Sequence, residues 1–85
     1  MKEFTYKIQD EVGIHARPAG ILVKKAGEFQ SEIKLIKGDK EADLKKIFAV
    51  MGLGVKKGET VRVQVSGSDE DRATAELERF FRDNL

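Results

Sequence analysis

The chain has 85 residues, with 16 Lys and Arg against 15 Asp and Glu, for a net charge of +1. That length supports one modest core and one domain, residues 1–85. The near-balanced charge argues against nucleic acid or an anionic membrane as the main partner. With 40% hydrophobic residues the chain is expected to be globular. It has no cysteine, which excludes disulfides, thiolate nucleophiles and cysteine zinc sites. One histidine and scattered carboxylates predict no metal site, and no nucleotide loop predicts a cofactor.

The N-terminal segment alternates and is polar. It lacks the apolar core of a signal peptide, and no run reaches the length of a membrane span. No membrane insertion and a cytoplasmic location are therefore expected. In "FTYKI", Phe4, Tyr6 and Ile8 alternate with Thr5 and Lys7, the period of a half-buried strand. A polar loop follows over Gln9–Gly13. From Ala16 the period changes: Ala19, Leu22, Val23 and Ala26 fall on one helical face, and Gly27 is placed to end that helix.

"SEIKLIKGDKEAD" predicts a hairpin with Ile33 and Leu35 on one side and a turn at Gly38–Asp39. Its second strand, Lys40–Asp43, is short and charged, as suits a sheet edge. Leu44–Leu53 predicts a short helix bounded by Gly52 and Gly54. "TVRVQVSG" is the clearest strand, with Val61, Val63 and Val65 on one face. Ser68 is the expected N-cap of a last helix, with Asp71 at the capping-box position. Asp69, Glu70 and Asp71 suit its positive end. Ala73, Leu77, Phe80 and Phe81 form its buried stripe.

The order β-α-β-β-α-β-α, with two-faced strands, predicts an α+β open-faced sandwich. A four-stranded antiparallel sheet carries three helices on one face.

The chemistry concentrates in "GIHARPAG", which holds the only histidine, His15, and the only proline, Pro18. One reading is an ordinary loop-to-helix junction, since proline is tolerated in a first helical turn. The other is a reactive site. A helix start presents free N–H groups and a partial positive charge to an anion, and Arg17 adds a guanidinium fork. The same positive surroundings disfavour imidazolium, and a neutral imidazole is the nucleophile. Nothing else in the chain suits a hydrolase or a nucleotide enzyme. His15 is thus fitted to carry a phosphoryl group that this chain neither generates nor consumes. Stabilisation of such an anion by the helix end is roughly 0.3–1 kcal/mol, or up to ~2 when partly buried.

"GIHARPA" resembles the active-centre motif of HPr, the histidine-containing phosphocarrier family of the bacterial phosphotransferase system. The likeness runs over the whole chain, including "LKKIFAVMGLGVKKGE" and "TVRVQVSG". It implies that enzyme I, charged from phosphoenolpyruvate, phosphorylates His15 on Nδ1, and that His15 passes the group to enzyme IIA domains. It implies that Arg17 and the N–H groups of Ala16 and Arg17 steady the phosphoryl group.

On a helical wheel Ile47, Phe48 and Met51 share one side, while Val50 and Leu53 share another. A short helix beside a small sheet cannot bury both, so the first set is expected to be an exposed partner surface. By likeness to the family, Gly20, Ile21 and Lys24 complete it. Lys24, Lys45 and Lys46 would steer acidic partners.

The family usually carries a regulatory serine at position 46, phosphorylated in many members by an ATP-dependent kinase. Lys46 stands there instead, which implies carrier activity without that switch. The alternative is a specialised or regulatory paralogue, nitrogen-type or serving a single pathway, that acts mainly by protein binding. A monomer is expected.

Overall fold

The computed structural model describes all 85 residues. Its elements run β1 (Lys2–Lys7), α1 (Ala16–Ala26), β2 (Glu32–Lys37), β3 (Lys40–Asp43), α2 (Ile47–Gly52), β4 (Thr60–Ser66) and α3 (Glu70–Asn84). The strands form one sheet in the order β1-β4-β2-β3, antiparallel throughout. The expected α+β open-faced sandwich is the observed one.

Alternation explains the faces. Val61, Val63 and Val65 of β4 point inward and are no more than 1% exposed, while Thr60, Arg62 and Ser66, which alternate with them, are exposed. In register, Val63 lies between Phe4 and Leu35. The helices close over this apolar face with Ala19, Leu22 and Ala26 from α1, Val50 from α2, and Ala73, Leu77 and Phe81 from α3. Phe81 packs edge-on to both Phe4 and Tyr6, with ring centres 5.6 and 5.7 Å apart, and this docks α3 on β1. One residue breaks the open face's polar pattern. Ile36 pairs with Arg62 and Glu41, lies on the side opposite Ile33 and Leu35, and is still only 7% exposed.

Several boundaries differ from the sequence expectation. The second helix begins at Ile47 rather than Leu44, because Leu44, in the turn just after β3, is tied back to β2 by its N–H, which donates to Ile33 O at 2.9 Å. The Asp43 carboxylate then accepts from Lys45 N–H at 2.9 Å and turns the chain. Gly27 ends α1, but with φ −65°, so no left-handed residue is used there.

The last helix is capped differently too. Its N-cap is Asp69, not Ser68, and the Asp69 side chain caps nothing in its own helix. It reaches instead to the start of β2, where Oδ2 accepts from Gln30 N–H at 2.8 Å and Oδ1 accepts from Ser31 N–H at 3.0 Å. The hydroxyl of Ser31, the one fully buried polar side chain, donates to the same Oδ1 at 2.5 Å. Glu70 accepts from Gly67 N–H at 3.1 Å. Gly67 must stay a glycine, since a Cβ there would lie 2.6 Å from Ser31 Cα.

The Ser31 hydroxyl, with the Gln30 N–H next in effect, holds the Asp69 carboxyl below the usual range. A carboxyl depressed on folding stabilises the fold above its unfolded value, and that contribution is lost as pH falls through the lower folded value. Asp69→Asn is therefore expected to lower the urea midpoint at neutral pH. The gap from wild type should close as the pH is brought down through the carboxylate range. A gap that stays constant across that titration would contradict the assignment.

Candidate functional site

His15 is the N-cap of α1, with an extended backbone (φ −108°, ψ −174°). Its carbonyl accepts the first helical bond from Ala19 N–H at 2.9 Å. The imidazole makes no capping bond, and the N–H groups of Ala16 and Arg17 have no partner. Pro18 has no N–H to satisfy. The first turn of α1 contains no acidic residue. The positive end of the helix is thus open to an anion from outside, on the face that carries the imidazole.

The turn before His15 is held from two sides. Gly13 has φ +74°, and a Cβ there would lie 2.3 Å from Val55 O. Ile14, 5% exposed, donates its N–H to that same carbonyl at 3.0 Å. At the other end of the turn, Asp10 N–H donates to Leu85 O at 2.8 Å, and Gly13 N–H donates to Asp10 O at 3.0 Å. The 55–58 loop and the end of α3 therefore set where the imidazole stands.

A shallow depression of about 260 Å³ opens beside it, lined by His15, Arg17, Pro18 and Ile21 from α1. Phe80 and Asn84 of α3 and Asp10 of the preceding turn close its other side. These last three were not among the expected site residues. Phe80 was expected in the buried stripe, but it is half-buried and packs at the edge of the core. Asp10 does carry a local signal: its Oδ1 accepts from Val12 N–H at 2.9 Å, an Asx turn.

The expected partner residues cluster around the α1–α2 junction, with two corrections. Phe48 is 86% exposed, Ile21 53% and Met51 38%, and Lys24 and Lys46 are also exposed. Ile47 is half-buried and packs against the core. A Cβ on Gly20 would lie 3.7 Å from Ile47 Cδ1, so Gly20 and Ile47 form the seam between the helices more than the surface over it. Lys45 is not free to steer a partner, because its Nζ donates to Phe29 O at 2.8 Å.

Farther along α1, Lys25 Nζ donates to Glu76 of α3 at 2.7 Å. This bond holds the Glu76 carboxyl below its usual range and raises the Lys25 ammonium above its own. It fixes the far end of α1 against α3, beyond the depression.

Comparison with known proteins places this geometry. Residues 2–83 match the family model for the "PTS HPr component phosphorylation site". The phosphocarrier protein HPr of Mycoplasma capricolum is 39% identical over 83 residues, covering 98% of this chain and 93% of that protein. A solved structure of a Mycoplasma histidine-containing phosphocarrier protein superposes with a TM-score of 0.93 at 38% identity, over 96% of this chain and 93% of that one. HPr from Thermoanaerobacter tengcongensis gives a TM-score of 0.93 at 37% identity, over 98% and 93% of the two chains. A match of this extent, on a sheet order and helix placement shared with those structures, makes the chain a member of the HPr phosphocarrier family of the phosphotransferase system.

Proposed function

We propose that this chain is a stoichiometric phosphoryl carrier, accepting the group on His15 from phosphorylated enzyme I and passing it to enzyme IIA domains in sugar uptake. The observation that carries the reading is the start of α1. An uncapped imidazole, two unpartnered N–H groups and the Arg17 guanidinium meet at one depression.

The chemistry is a displacement at phosphorus. The lone pair of Nδ1 attacks as the P–N bond to the donor imidazole breaks, so bonds and charge balance and nothing else is consumed. In such transfers positioning and charge stabilisation carry the catalysis. The N–H groups of Ala16 and Arg17 and the Arg17 fork receive the phosphoryl oxygens as they arrive. The chain is an intermediate rather than an enzyme, and we place it in the cytoplasm as a monomer.

The partner surface in this reading is the exposed apolar group Ile21, Phe48 and Met51 beside the site, with Gly20 and Ile47 beneath it and Lys24 and Lys46 at its rim. Phe48→Ala should weaken enzyme I binding about tenfold while changing stability by less than about 1 kcal/mol. Chemical-shift titration and urea unfolding of the same variant measure the two effects. A loss of several kcal/mol would instead make Phe48 a core residue.

Lys46 is exposed at the N-cap of α2 and offers no hydroxyl. We take the carrier to lack the serine switch of its relatives. The test is incubation with radiolabelled phosphoenolpyruvate and enzyme I, which should place one acid-labile phosphate on the chain and move it to an enzyme IIA domain. Adding ATP and the family's serine kinase should add no acid-stable phosphate. Absence of the labile phosphate would sink the carrier reading, and an acid-stable one the reading of Lys46.

A further inference from the structure

We propose that the Asp10 carboxylate is a built-in repulsive charge that keeps the phosphoryl group on His15 easy to pass on. The inference rests on the carrier reading above and adds a residue to it. Of the side chains lining the depression, Arg17 is the cation and Asp10 the carboxylate. Asp10 is also held in place. Its N–H donates to Leu85 O at 2.8 Å, its carbonyl accepts from Gly13 N–H at 3.0 Å, and its Oδ1 accepts from Val12 N–H at 2.9 Å. It is half-buried on this turn, five residues before the imidazole, and makes no ion pair with Arg17 or any other cation within 4 Å.

An arriving phosphoryl group brings roughly one and a half to two negative charges. The helix end and Arg17 attract it, and a fixed carboxylate across the same depression repels it. Like charges lining one depression destabilise one another, and a partly buried wall weakens the screening between them. The repulsion acts mainly on the phosphorylated state, because free His15 brings no such charge. Its effect is to shift the balance from holding the group towards giving it away. A carrier needs that balance, since an anion site made only of attractive groups would retain its cargo.

The alternative is that Asp10 merely shapes the turn. Asp10→Asn separates the two, because the amide oxygen still accepts from Val12 N–H while the charge is gone. The experiment equilibrates carrier, enzyme I, phosphoenolpyruvate and pyruvate at low ionic strength and measures the phosphorylated fraction of the carrier. Removal of the charge should shift the equilibrium towards the phosphorylated carrier by about 3- to 10-fold. Hydrolysis of the isolated phosphorylated variant should slow in the same direction. Asp10→Ser keeps an oxygen acceptor without charge and carries the same expectation should the amide disturb the turn, while Asp10→Glu should stay near wild type. In about 1 M salt the shift should shrink, since a Debye length of about 3 Å screens the solvent-facing part of the interaction.

A shift below twofold at low salt in both neutral variants, or one that persists unchanged at high salt, overturns the role of Asp10 and leaves the carrier reading standing. Failure of the wild-type chain to accept the group at all removes both.

Discussion

His15→Ala is expected to abolish phosphoryl acceptance from enzyme I completely while leaving the fold within about 1 kcal/mol of wild type. The two halves of that expectation come from one observation. The His15 side chain is at the N-cap of α1 but makes no capping bond, so its removal takes no hydrogen bond from the helix. The backbone bond that begins the helix, from Ala19 N–H to His15 O at 2.9 Å, is kept by alanine. The proposed nucleophile, in contrast, has no substitute, because the chain contains no other histidine and no cysteine. Labelling from phosphoenolpyruvate, paired with urea unfolding of the same preparation, reads both quantities. Residual acid-labile phosphate on a folded His15→Ala protein would place the acceptor elsewhere.

Gly13→Ala tests the support beneath that proposed acceptor. Here stability and transfer are expected to fall together, stability by about 2–4 kcal/mol, from a disfavoured positive φ and a contact that must be relieved. The residue has φ +74°, and an added Cβ would lie 2.3 Å from Val55 O and 2.7 Å from Lys56 Cα. Both neighbours are backbone, so no flexible side chain can swing aside. The turn must move, and it carries the Ile14 N–H bond to Val55 O and, one residue later, the imidazole. Circular dichroism melting and the initial rate of labelling measure the pair. A variant as stable as wild type, or one whose rate is unchanged, would mean that the 55–58 loop does not set the position of His15.

Sequence periodicity is local and describes how one element faces its surroundings. The alternation of Phe4, Tyr6 and Ile8, the valines of β4 and the 3.6-residue stripe of α1 needed no partner to be recognised. The start of α1 was equally legible, because a proline at its third residue and a histidine at its N-cap are fixed by chain order. His15, Arg17 and the free N–H groups between them were therefore in view from the residues alone.

What was not legible depends on which segments meet. Leu44 stays out of the second helix because Ile33, eleven residues back, accepts its N–H. Asp69 leaves its own helix uncapped because Ser31 stands opposite with a hydroxyl and an N–H to offer. On α2 the wheel put Ile47 with Phe48 and Met51, but the close approach of Gly20 draws Ile47 towards the core and leaves Phe48 in water.

By itself, then, the sequence determined the kind of chemistry. One unpaired imidazole at a helix start, beside one guanidinium, suits an anion and little else. Only the tertiary structure decided the field in which that imidazole works. The end of α3 folds back on the turn through Leu85, and with it Phe80, Asn84 and Asp10 come to face His15. Electrostatic effects depend on distance through space, and Asn84 stands sixty-nine residues away along the chain.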